Sequence, residues 1–435
     1  MKKTYKTFLS YISIYLIVII IMTTSIVLVQ YIPKETIKTN VLSSTETINK
    51  LGLYPQVGPS FFFRLDTFTD AIMLNVIYTA DSKTPVKSAL YDRYYFCKGL
   101  RTTSPLNSIT YGINDNTKGM TSFIYARYWH GYQVFLRPLL SLMNLKGIII
   151  VNYIVFLLLL LSTLLLMWNR ISPIVSTCFL CCCIFMNVFI LPLSMQYYPC
   201  FFISLIGIIL VILFPKLTNT DLHAGLTFFT IGALCNFFDL LTTPIITYGL
   251  PFIAYYMLYS NEKPIKKLLN TGVSWLLGYS IIWLTKWAIC TLFTDYNCFE
   301  SAFSAAKIRL STQSGTSDYS ITYAFKTILW FFFRKKWALL IIIPIVGFFM
   351  INKSLFIKTI KENYWLIIVS LITPLWFIVM RNHSFHHFKL FTWRSLFITE
   401  FSLLLFFCFF AKNMIIKNKS LKKGIEKKQL ESKDH

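Results

Sequence analysis

The sequence predicts an all-α polytopic membrane protein: about ten transmembrane helices with a long first extracytoplasmic loop. Three observations carry that expectation. The chain is 55% hydrophobic, with a mean hydropathy of +0.59, more than a soluble domain sustains. Apolar runs long enough to cross a bilayer recur along it, and in lipid a helix satisfies its own backbone hydrogen bonds. Lysine and arginine collect in short stretches between those runs, as the positive-inside rule expects of cytoplasmic loops.

The elements follow in order. A basic start, Met1 to Lys6, precedes an apolar run from Phe8 to Tyr31. The run is too long for a signal peptide and lacks a small-residue cleavage site, so residues 1–32 read as an uncleaved first span. Residues 33–146 then read as an extracytoplasmic loop with interfacial helices. An amphipathic helix is expected at Thr69–Tyr78, lying along the membrane surface, and an interfacial helix at Ser122–Met143. Residues 147–293 form a transmembrane bundle, with spans at Gly147–Trp168, Ile171–Leu193, Cys200–Phe214, Ala224–Leu241, Pro244–Tyr259 and Gly272–Phe293. Residues 294–336 form a second outer loop, in which Ile321–Phe333 is short enough to lie flat. Residues 337–411 supply spans at Trp337–Ile351, Trp365–Met380 and Ser395–Ala411, and 412–435 a basic cytoplasmic tail. Both ends are then cytoplasmic.

Net charge is +24, from 42 Lys and Arg against 18 Asp and Glu. No basic soluble domain is visible, so the charge reads as topology and contact with anionic membrane lipid, not nucleic-acid binding. The 10 cysteines do not form a disulfide framework, because four of them fall inside one apolar segment.

The polar residues gather on the outer face. Asp66 and Asp70, beside Arg64, follow the first span closely. With them lie Arg127, His130, Gln196, Tyr197, Asp239, Lys286, Arg334, Lys335, Arg381, His383, His386, His387 and Arg394. A carboxylate facing a crowd of cations suits glycosyl transfer from a lipid-linked phosphosugar. The carboxylate takes the acceptor's hydroxyl proton, and cations stabilise the departing phosphate. Asp66 is favoured as base because Arg64 would keep it ionised, and the other aspartate then caps the helix that follows. Asp239 and Lys286 read as a structural pair within the bundle. The His383–His387 cluster offers two imidazoles to a metal, but no carboxylate or cysteine lies nearby, and phosphate contact is the preferred reading.

Leu65-Asp66-Thr67-Phe68-Thr69-Asp70, Tyr125-Ala126-Arg127-Tyr128-Trp129-His130-Gly131-Tyr132 and Asn382-His383-Ser384-Phe385-His386-His387, on a one-span, long-loop, many-span layout, resemble the GT-C membrane glycosyltransferases of bacterial cell surfaces. The resemblance implies a GT-C-like bundle and an inverting transfer from a polyprenyl-phosphate-linked sugar to a glycan acceptor, with Asp66 or Asp70 as base. It assigns Arg127, Arg334, Lys335, Arg381, His383, His386, His387 and Arg394 to the donor phosphate. Arg64, His130, Gln196, Tyr197 and Asp239 fall to the substrate. No cofactor or resident metal is implied, though a divalent cation is left open. A polysaccharide polymerase or ligase using lipid-diphosphate glycans, and a lipid or glycan transporter, are the competing readings.

Overall fold

The computed structural model describes residues 2–97, 108–110, 120–259, 263–314, 317–334 and 352–431. Five helical stretches are long and apolar enough to cross a membrane: Thr4–Gln30, Leu145–Arg170, Pro264–Phe293, Lys353–Val379 and Thr392–Ile416. The architecture is that of a helical membrane protein, but the expected count of about ten spans is not met among the described residues. Lys335, and the span expected at Trp337–Ile351, lie outside them.

Where the count fails, the chain breaks its helices early. Helix α1 (Lys2–Gln30) is followed by α2 (Lys34–Leu51), α3 (Thr67–Thr79) and α4 (Pro85–Tyr91). A small antiparallel pair, β1 (Arg93–Cys97) and β2 (Met120–Ile124), sets Arg93 opposite Ile124 and Cys97 opposite Met120. The helix expected over Ser122–Met143 is therefore a strand, a turn and then α5 (Gln133–Leu142). Helix α3 is buried on nearly every side and is not the amphipathic surface helix expected.

Helix α6 (Leu145–Arg170) is capped by Asn144, whose side chain accepts from the amides of Lys146 and Gly147. Helix α7 (Pro173–Phe185) starts with Ser172 as cap and proline at its first position. It stops at a left-handed Asn187, and Val188–Leu193 continues as a 3₁₀ turn instead of completing a span. Helices α8 (Tyr198–Leu213), α9 (Asp221–Phe238) and α10 (Ile246–Tyr259) follow. The 14 residues of α10 extend about 21 Å, short of the roughly 30 Å of a bilayer core.

Helix α11 (Pro264–Phe293) packs against α9 at backbone distance. A Cβ on Gly232 would sit 2.1 Å from the Trp275 carbonyl oxygen, and one on Gly278 2.1 Å from that of Phe229. Small residues at such crossings let two helix backbones touch. Along α11, Trp275, Tyr279, Trp283 and Trp287 repeat every four residues and form a continuous aromatic ladder.

Helix α12 (Cys298–Leu310) is capped by Asn297, and α13 (Ile321–Arg334) is short, burying only Ala324 and Phe331. Helices α14 (Lys353–Ser370) and α15 (Ile372–Val379) together make one apolar stretch. Lys358 and Lys361, expected in a loop, lie on α14. Short α16 (Arg381–His386) and a 3₁₀ turn at Thr392–Leu396 lead to α17 (Phe397–Glu431). The Thr392–Ile416 stretch is the most enclosed of the five and packs on α7, α10 and α14.

Candidate functional site

The site begins at the N-terminus of α3. Asp66 caps it: one carboxylate oxygen accepts from the Thr69 amide at 3.1 Å and the other from the Thr69 hydroxyl at 2.9 Å. Asp70 lies one turn on. Its Oδ1 accepts from the Ser194 hydroxyl at 3.0 Å and from the Gln196 amide at 3.1 Å. Both donors come from the turn between the Val188–Leu193 segment and α8, so the break in the expected span is what delivers them.

The two carboxyls differ in surroundings. Asp66 is 3% exposed and neighbours Tyr54, which is 43% exposed and stacks on Phe68. The Tyr54 phenol is pushed up to about 12, first by its own burial and then by the Asp66 charge. Asp70 is 1% exposed, beside the half-buried Tyr198. Burial raises Asp66 above the usual carboxylate range, against the Thr69 bonds that lower it. Burial and then the charge of Asp66 hold Asp70 well above that range. The pair therefore resists double ionisation, and its titration belongs to both groups together. Arg64 plays no part in this: no ion pair joins it to Asp66 among the described residues, and its Nε is buried without a partner.

The distant C-terminal segment meets α3 here. The Tyr197 hydroxyl lies 3.3 Å from the carbonyl oxygens of both Arg64 and Leu390. Arg394 donates to Leu390 O at 3.0 Å and to Phe62 O at 3.3 Å, and its guanidinium lies 4.7 Å from the Tyr197 ring centre. Its Nε has no partner. The two stretches expected to face each other are thus in contact.

His383 sits behind them, with Nε2 2.6 Å from the Leu241 carbonyl oxygen. His387 stacks on Phe391. Burial, His387 and Arg309 keep His383 well below the usual imidazole range; burial and then His386 bring His387 down to about 3. Burial thus disfavours the charged form of both rings, whereas the sequence suggested cationic contact with a phosphate. His386 is exposed. Asn382 ties α16 to Ser311 and Gln313, and the buried Nε of Arg381 has no partner. Arg334 is exposed at the end of α13, with no contact to the carboxylates.

Asp239 is a supporting residue. Its Oδ2 accepts from the Thr242 amide at 2.8 Å, and the Thr242 hydroxyl donates to Gln196 O at 3.3 Å. It does not pair with Lys286. Lys286 meets Asp92 at 2.8 Å, with both side chains fully buried, and Gln133 donates to the other Asp92 oxygen at 2.7 Å. His130 is also structural: its ring nitrogens are each 2.9 Å from a partner, the Tyr132 hydroxyl and the Tyr125 carbonyl oxygen. Its expected place at the substrate is not supported by any open ring nitrogen.

A residue that sequence reasoning passed over is Arg309. It donates to the Tyr128 hydroxyl at 2.9 Å, and Arg127 lies 4.4 Å from the Tyr125 ring centre. Arg127, Arg309, Trp283 and Trp287 line a cavity of about 140 Å³. A larger, almost wholly apolar cavity of about 330 Å³ lies between α5, α6, α8 and α9, with Tyr198 in its wall.

Comparison with protein-family models, curated proteins and solved structures finds no match for the chain.

Proposed function

We propose that this chain is a GT-C type membrane glycosyltransferase. It moves a sugar from a polyprenyl-phosphate donor to a cell-surface glycan, outside the cytoplasmic membrane and with inversion. The observation that carries the reading is the carboxylate pair at the start of α3, with Arg394 held against the same Tyr197 that bridges the two halves. Asp66, on the side of the exposed Tyr54, is the base. It takes the acceptor hydroxyl's proton as that oxygen attacks the anomeric carbon, and the bond to the donor phosphate breaks. Arg394 supplies fixed positive charge in a water-poor setting, where it counts most. The apolar cavity beside Tyr198 suits a prenyl chain. Asp70, buried and held by Ser194 and Gln196, is a supporting residue linked to Asp66 through charge.

One observation favours a second reading. Arg127 and Arg309 flank the same small aromatic-walled cavity, as a doubly charged lipid diphosphate would require, and this points to a polymerase or ligase.

The test is sugar transfer in reconstituted vesicles, supplied in parallel with polyprenyl monophosphate and diphosphate donors. Asp66→Asn should lose about 10²–10⁴-fold in rate while the protein stays monodisperse. Full activity of both Asp66→Asn and Asp70→Asn removes the mechanism. Turnover of the diphosphate donor alone selects the second reading.

A further inference from the structure

We propose that Cys200, Cys235 and Asp239 form a zinc site that locks α8 to the end of α9. Cys200 is the third residue of α8. Cys235 and Asp239 lie four residues apart, so the end of α9 presents both on one face. Their two sulfurs and a carboxylate oxygen all lie within 4.8 Å of one another, and all three residues are buried. With Zn–S near 2.3 Å and Zn–O near 2.0 Å, a tetrahedral site has ligand–ligand edges of about 3.5–3.8 Å, so small side-chain shifts close the set.

A second observation points to a missing partner. Asp239 Oδ1 is buried with no hydrogen-bond partner, as are both carboxamide atoms of neighbouring Asn236 and Oε1 of Gln196. Buried polar atoms are nearly always satisfied, so a buried carboxylate oxygen left open on a residue grouped with two thiols points to an occupant. Two sulfurs select a soft or borderline ion over magnesium or calcium. On binding, the two thiols release their protons to solvent. The ion takes two thiolates and one carboxylate oxygen, leaving a fourth position for a neutral oxygen donor.

The site is structural. It fixes Asp239, which holds the Thr242 amide. Thr242 bonds to Gln196 O, and the Gln196 amide bonds to Asp70. The inference does not depend on the proposed reaction.

The experiment is metal analysis of the full chain, purified in detergent without chelator from cells grown with added zinc. Wild type should carry about one zinc per chain. Cys200→Ser and Cys235→Ser should each lower this by more than about fivefold. Cys182→Ser, which removes a buried thiol outside the group, should leave it unchanged. X-ray absorption at the zinc edge of the wild type should show two sulfurs at about 2.3 Å with oxygen at about 2.0 Å, and decides the matter even if the serine variants fail to fold. Zinc-free wild type, zinc retained by the Cys200→Ser/Cys235→Ser double variant, a sulfur-free spectrum, or a Cys200–Cys235 disulfide as the main form would each overturn the proposal.

Discussion

Lys286→Met tests the reading of the charged core. Lys286 Nζ lies 2.8 Å from Asp92 Oδ2 and 2.7 Å from Ala89 O, with both side chains at 0% exposure. At that distance, with an effective dielectric constant near 20, the gross attraction is about 6 kcal/mol. Desolvation offsets most of it, so the pair itself contributes little net stability. Removing one partner is another matter. Asp92 would keep the bond from Gln133 but remain a buried charge without its counter-ion, a loss of about 3–5 kcal/mol. That is a large share of the roughly 5–15 kcal/mol that holds a domain folded. Adding Asp92→Asn removes the stranded charge, so the double variant should recover at least about 2 kcal/mol of the loss. The assay is a double-mutant cycle on unfolding in detergent. A parallel cycle with Asp239→Asn should be additive, because Asp239 does not touch Lys286. A single-variant loss under about 1 kcal/mol, or coupling to Asp239 instead of Asp92, would refute the reasoning.

Three further outcomes are expected. Gly278→Ala should lower the melting temperature, because its Cβ would sit 2.1 Å from the Phe229 carbonyl oxygen, which belongs to a helix backbone; the cost is at least about 1–3 kcal/mol. Asp70 has a folded pKa raised by burial and by Asp66, so its contribution is fully present below the unfolded value near 4 and is lost as pH rises through the folded value. Asp70→Asn should therefore flatten the fall in stability between about pH 4 and the folded pKa, read as melting temperature against pH, and an unchanged slope would contradict the assignment. Arg394→Lys should lose about tenfold or more in transfer rate without a matching fall in melting temperature, because an ammonium cannot both stack on Tyr197 and reach Phe62 O and Leu390 O.

The sequence made some of this fold readable and hid the rest for physical reasons. The first span and Leu145–Arg170 were plain because nothing interrupts their apolar runs. Ile171–Leu193 looked the same by hydropathy, yet it stops at a left-handed Asn187, and hydropathy does not register where a helix terminates. At Lys353–Val379 the error ran the other way. Lys358 and Lys361 read as a loop, but the exposed Lys358 reaches Glu362 one turn away at 3.8 Å, and the helix continues through them. The meeting of 61–70 with 383–394 could be anticipated from the scarcity of acidic residues and the shared expected face. The partner of Lys286 could not: Asp92 is 194 residues away and outside any motif. Arg309 gave no signal either, because an arginine on an alanine-bearing helix looks like a solvated face until Tyr128 is seen against it.

The choice between Asp66 as cap and Asp66 as base was posed as exclusive, and the geometry removes the opposition. Thr69 bonds both carboxylate oxygens from the helix side, which fixes the group's direction without consuming all of its lone pairs. Asp70 behind it is the more deeply buried of the two, and burial and then the Asp66 charge raise it further. On the proposed mechanism Asp66 is the member that takes the acceptor's proton, and the Thr69 bonds hold its direction before any substrate arrives. On this account Asp70→Asn, which imitates the protonated state, should be tolerated far better in transfer assays than Asp66→Asn. Equal losses from the two substitutions would mean that the pair works as one unit, with no fixed division between base and support.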